Sequence, residues 1–87
     1  MKYAVVYTYP PDKELIQRAR PDHRAYLGGL RERGKLAAAG PFTDDSGALI
    51  IYEADSEDEA KQLIQSDPFH AAGVFARYQI YPWNQVF

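Results

Sequence analysis

The apolar residues of this chain fall into six runs, which predict four strands and two helical regions. Runs rich in β-branched, aromatic or small apolar residues predict strands over 2–9, 35–42, 48–54 and 73–81. Helical spacing of apolar residues predicts the first helical region over 12–34, broken at Pro21 into two segments because proline interrupts helical hydrogen bonding. The second helix begins after a cap at Asp55 or Ser56 and ends at Ser66. The order β-α-β-β-α-β predicts an α+β ferredoxin-like sandwich, with both helical regions on one face of an antiparallel sheet.

The predicted strands are apolar on both faces. In the first strand, Tyr3, Val5 and Tyr7 fall on one face, and Ala4 and Val6 fall on the other. A sheet with helices on one face and water on the other should alternate apolar and polar residues. We therefore expect a second copy of the chain to cover the outer face, which gives a homodimer with its sheets packed together.

Composition narrows the classes of function. Ten Lys and Arg residues against twelve Asp and Glu residues give a net charge of −2, so nothing in the charge supports binding to nucleic acid. No apolar run approaches the ~20 residues that span a membrane, and the N-terminus does not resemble a secretory leader. We expect a cytoplasmic protein. With no cysteine and only two histidines, the sequence predicts no metal site.

Few residues could perform acid–base chemistry. The fold prediction brings the start of the second helical segment, at His23, near the end of the last helix, at Asp67. A carboxylate beside an imidazole would orient it and leave its other nitrogen as a general base. The structural alternative is that Asp67 caps local backbone and His23 only packs, and spacing alone favours that alternative. His70 and Ser66 lack the surroundings of a catalytic group.

An ordered set of short motifs resembles the YCII-related family. In chain order the motifs are Arg20-Pro-x-His23-x-x-Tyr26-Leu27, Gly40-Pro41-Phe42, Gly47, Asp67-Pro68-Phe69, Ala72-Gly73 and Pro82-Trp83. The resemblance runs over essentially the whole chain and implies one YCII-related domain over residues 1–87. It also implies a dimeric α+β barrel and a catalytic His-Asp dyad, carried here by His23 and Asp67. The resemblance favours the catalytic interpretation over the structural one for this pair.

The resemblance implies a small cofactor-independent lyase or isomerase that acts on a hydroxylated aromatic or quinoid substrate. Its best chemical precedent is the dehydrochlorination of a chlorinated hydroxyhydroquinone in aromatic degradation. We expect Arg20, Tyr7 and Phe69 to contact the substrate. The identity of the substrate stays open, as does the choice among elimination, isomerisation and oxygenation. A non-catalytic dimeric module that binds a small ligand or a partner is the alternative.

Overall fold

A four-stranded antiparallel sheet with helices on one face forms the body of the protein, and the computed structural model describes residues 1–87. The strands lie in the order β2-β3-β1-β4, which confirms the ferredoxin-like prediction. None of the helices combines the length and apolar character needed to cross a bilayer. In chain order the elements are β1 (Lys2–Thr8), α1 (Lys13–Glu32), β2 (Leu36–Pro41), β3 (Gly47–Glu53), α2 (Glu57–Gln65), α3 (Pro68–Ala71) and β4 (Arg77–Trp83).

Helix α1 runs without interruption through Pro21, so the predicted break at this residue is wrong. Asp12 caps the helix by accepting a hydrogen bond from the Leu15 N–H. Proline inside a helix removes the bond to the carbonyl four residues earlier, which here belongs to Gln17. Both Pro21 and Gln17 are exposed, so water can satisfy that carbonyl. The proline is tolerated because it lies on the solvent side of the helix.

The chain after α2 also differs from its prediction. Ser56 caps α2 as expected, but residues 68–71, which lie between the predicted end of that helix and the predicted last strand, form the short helix α3. Strand β4 is Arg77–Trp83 instead of 73–81, because Val74 and Phe75 are used as buried core residues before the strand begins. Pro82 can belong to β4 because this strand is at the edge of the sheet, where a missing N–H costs little.

The core lies between the sheet and the helices. Tyr3, Val5 and Tyr7 of β1 face the helices and are buried, and their neighbours on β3 are buried with them. The opposite face of the sheet carries a second apolar row, in which Leu49 and Tyr81 are exposed and Ile51 is buried. Its members include Ala4, Val6, Leu49, Ile51 and Tyr81, which the strand register brings side by side. We call this row the outer face.

Candidate functional site

His23 lies in the middle of α1, on the side that faces the core. Its side chain is buried, with 8% of the residue exposed. The imidazole stacks on the ring of Phe69, with 3.8 Å between ring centroids and an angle of 8° between planes. Phe75 stands edge-on to the imidazole at 5.6 Å. Two aromatic rings therefore fix the plane of the imidazole, although the predicted helix start at this residue does not exist.

Asp67 contacts His23 although the two residues are 44 positions apart in the sequence. Oxygens Oδ1 and Oδ2 of Asp67 lie 2.8 and 2.7 Å from Nδ1 of His23. Asp67 is also the N-cap of α3, where its Oδ1 accepts the Phe69 N–H at 2.9 Å and Pro68 follows as the first helical residue. The Asp-Pro-Phe sequence thus builds a tight turn that aims a fully buried carboxylate at α1.

This contact determines which ring nitrogen of His23 can act as a base. A carboxylate only accepts hydrogen bonds, so Nδ1 of His23 carries the hydrogen that points to Asp67. Nε2 makes no hydrogen bond within the chain. Every side-chain nitrogen or oxygen that is fully buried in this protein does have a hydrogen-bond partner. Nε2 is therefore not sealed in the core. In the neutral imidazole it presents its lone pair to the adjoining cleft.

The cleft beside His23 has a volume of about 230 Å³ and lies between α1 and strands β2 and β3. Strand β2 is made largely of small residues, and a bulge between Leu36 and Ala38 shifts its register so that Ala39 pairs with Ile50. Ile50 faces the helices, so Ala39 does as well. The cleft exists because β2 places a methyl group where a larger side chain would fill the gap.

Arg20 and Phe69 line the cleft, as does Tyr9. Burial raises the pKa of the Tyr9 hydroxyl, while the nearby positive charge of Arg20 opposes that increase. Arg24, one helical turn after Arg20, also lines the cleft. The sequence analysis missed Tyr9 and Arg24, although the spacing of four residues from Arg20 was the signal for Arg24.

Tyr7, expected to contact the substrate, does not line the cleft. It is 1% exposed and stacks on Phe75 in the core, with 3.7 Å between ring centroids. Its hydroxyl lies 2.7 Å from the hydroxyl of Tyr52. Burial is the main cause that raises the pKa of both tyrosines, so both hydroxyls stay protonated in the folded protein. The alternation of β1 directs Tyr7 into the core.

The remaining sequence candidates lie outside the cleft. Ser66 ends α2 as its C-cap, and its side chain is exposed. His70 is exposed on the last turn of α3. No three His, Cys, Asp or Glu side chains converge in a way that could hold a metal ion. The structure therefore brings His23, Asp67, Arg20 and Phe69 together and leaves His70 and Ser66 apart.

Comparison with known proteins gives a family match. Residues 1–84 match the family described as the YCII-related domain. Protein YciI of Escherichia coli O6:H1 is 33% identical over 95 aligned positions, which cover 95% of this chain and 97% of YciI. A protein of Bacillus subtilis, YjpA, is 37% identical over 51 positions, or 59% of this chain and 60% of YjpA.

Among the solved structures that share the fold is 5-chloro-2-hydroxyhydroquinone dehydrochlorinase (TftG) from Burkholderia phenoliruptrix AC1100 in complex with 2,5-dihydroxybenzoquinone. It matches with a TM-score of 0.83 and 30% identity, over 97% of this chain and 94% of TftG. Rv0793 from Mycobacterium tuberculosis covers the full length of both chains with a TM-score of 0.61. At 11% identity, Rv0793 supports the fold alone.

Proposed function

Because the chain belongs to the YCII-related family, we propose that it is a cofactor-independent lyase or isomerase acting on a hydroxylated aromatic or quinoid ring. The observation that carries this proposal is the buried pair of His23 and Asp67, with the Nε2 atom of His23 open to the cleft. The similarity to TftG supports a lyase of the dehydrochlorinase kind.

His23 would act as the general base. Its Nε2 takes a proton from a substrate hydroxyl, and Asp67 orients the ring and stabilises the imidazolium that forms. In the elimination reaction the ring is the keto tautomer, whose chlorine-bearing carbon is sp³. The electron pair of the O–H bond becomes the π bond of a new carbonyl, the pair of the enol C=C bond shifts to form a new C=C bond to the chlorine-bearing carbon, and chloride leaves with the pair of the C–Cl bond. An isomerase would instead return the proton to another ring position.

The cleft supplies the other requirements of this chemistry. Phe69 lines the cleft beside the imidazole, and Arg20 can stabilise negative charge that develops on a ring oxygen. At about 230 Å³ the cleft is smaller than the ~300–1,000 Å³ typical of pockets for drug-sized ligands. A substrate with a single ring fits this volume.

Chloride release from a chlorinated hydroxyhydroquinone tests the proposal. General-base catalysis contributes about 10²–10⁴-fold, so we expect His23→Ala to lower the rate by that factor. His70→Ala is the matched control, because His70 is exposed and lies outside the cleft. Chloride release that continues unchanged in His23→Ala would refute the mechanism. Ligand binding without conversion in the wild-type protein would support the binding module instead.

We also propose that the outer face forms a homodimer. Leu49 and Tyr81 are 38% and 48% exposed there, beside Val6 and Ile51 in one apolar row. Burying such a row against its copy would be favourable at ~25 cal/mol per Å². Light scattering should give twice the chain mass for the wild type and a smaller mass for Leu49→Lys. A wild-type monomer would contradict this proposal and leave the proposed chemistry untouched.

A further inference from the structure

The cleft beside His23 has an uneven distribution of charge. Arg20 and Arg24 are four residues apart on α1, and both line the cleft with His23 between them in sequence. Residues at this spacing lie on one face of a helix. Two arginines thus line the same cleft as His23, and no Asp or Glu lines it.

Neither arginine is neutralised elsewhere in the chain. The five ion pairs of the protein involve the N-terminus, Lys2, His23, Lys35 and Lys61 as their cationic partners. None of them uses an arginine. A guanidinium group that lines a cleft without a carboxylate partner can make bidentate hydrogen bonds to an incoming oxyanion.

The surroundings of Tyr9 give independent support. Burial raises the pKa of the Tyr9 hydroxyl, and the charges of both Arg20 and Arg24 act to lower it. Asp45, in the β2–β3 turn, acts in the opposite direction. Both guanidinium groups are therefore close enough to influence the same hydroxyl at the rim of the cleft.

We propose that this cleft prefers ring ligands whose oxygens carry negative charge over neutral ones, with Arg20 and Arg24 as the residues that recognise two such oxygens and hold the charge that develops when His23 removes the hydroxyl proton. Leu27, Ile50 and Phe69 supply apolar contacts for the ring, and the two arginines supply electrostatic complementarity. This inference rests on the proposed function, because it assigns the residues that hold the negative charge formed in the same cleft. It adds Arg24 as a residue that determines specificity.

Three small probes separate charge from ring chemistry. 2,5-Dihydroxybenzoquinone is a vinylogous acid whose two hydroxyl groups are ionised at neutral pH. 2,5-Dimethoxybenzoquinone keeps the ring and its oxygen positions but carries no charge. Terephthalate is a dianion of similar size with no quinone. Calorimetric titration of the full chain with each probe gives the dissociation constants.

We expect both dianions to bind and the dimethoxy compound to bind at least about tenfold more weakly. Arg20→Gln and Arg24→Gln should each weaken the two dianions by about tenfold or more, since each removes hydrogen bonds to a charged group. Arg18→Gln is the matched control, because Arg18 is exposed on the same helix and does not line the cleft. Its affinities should equal those of the wild type.

Several results would overturn the inference. They are equal affinity for the neutral and charged quinones, no binding of either dianion, or equal effects of Arg24→Gln and Arg18→Gln. Chloride release that depends on His23 but not on Arg24 would overturn it while the proposed function stands. Arginine-dependent binding of terephthalate alone would retain the charge selection and refute a quinoid ligand.

Discussion

Replacing Asp67 with asparagine tests the dyad with little change in shape. Oδ1 of Asp67 accepts the N–H of Phe69, and Oδ2 accepts Nδ1–H of His23 at 2.7 Å. In Asp67→Asn, the amide oxygen can keep the bond to Phe69 and the amide NH₂ then takes the place of Oδ2. An NH₂ group donates, so it would face Nδ1 as an acceptor and move the ring hydrogen to Nε2. The base would then be lost at the nitrogen that faces the cleft.

The size of the effect differs between activity and stability. Loss of the base should lower turnover by about 10²–10⁴-fold. The variant exchanges a charge-assisted hydrogen bond for a neutral one, so the free energy of unfolding should fall by only about 1–2 kcal/mol. Asp67→Ala removes the cap of α3 and leaves the Nδ1–H of His23 without its acceptor, and we expect it to cost about 2–5 kcal/mol. Asp67→Asn should lose activity with little loss of stability, whereas Asp67→Ala should lose both. Comparing the two variants therefore distinguishes the role of Asp67 in orienting the imidazole from its role in folding.

Nitrogen-15 NMR of the imidazole rings measures this change directly. In the wild type, His23 should show a protonated Nδ1 and an unprotonated Nε2, and the two assignments should exchange in Asp67→Asn. Exposed His70 supplies an internal reference in the same spectrum. Denaturant unfolding and chloride release complete the comparison. Unchanged turnover in a variant whose tautomer has switched would refute the reasoning that connects the dyad to the base.

Three further predictions concern the core. Tyr7→Phe and Tyr52→Phe should each lower the free energy of unfolding by about 1–3 kcal/mol by leaving one buried hydroxyl unpaired, whereas the double variant should cost less than the sum; additive denaturant midpoints would contradict this. Burial raises the pKa of both tyrosines, so above about pH 10 only the unfolded chain loses these protons. Stability should then fall by about 1.4 kcal/mol per pH unit for each residue, with tyrosinate absorbance appearing together with unfolding; tyrosinate that forms in the folded protein would refute it. A Cβ at Gly47 would overlap the carbonyl of Tyr7, so Gly47→Ala should destabilise by about 3 kcal/mol or more, and a wild-type thermal midpoint would contradict this.

The pattern of apolar residues predicted the sheet and its topology because local periodicity carries that information. It failed where a residue depends on tertiary context. From the sequence alone Pro21 predicts a break in the helix, yet α1 continues through it because the residue lies on the solvent side. Phe75 belongs to an apolar run that resembles a strand, but its ring is used in the core against Tyr7 before β4 begins.

Part of the candidate site could also be predicted from local sequence patterns. The contact between His23 and Asp67 follows from the topology and from the Asp-Pro-Phe turn, both of which are visible in the sequence. Tyr7 lies inside β1, whereas Tyr9 follows the last residue of the strand. Where the strand ends therefore decides which of the two tyrosines reaches the cleft. Arg24 was missed because its place beside the cleft depends on the space that the small residues of β2 leave next to α1, which the sequence does not show.

The small residues of β2 separate two properties that most active sites combine. The proposed proton chemistry is held by α1 and α3, through His23 and Asp67, whereas the room for a ligand is set by Ala39 on an edge strand. A substitution at Ala39 changes the volume of the cleft without contact to the dyad. A larger or smaller side chain in β2 should therefore change which single-ring substrates fit the cleft, while the base and its carboxylate stay on α1 and α3.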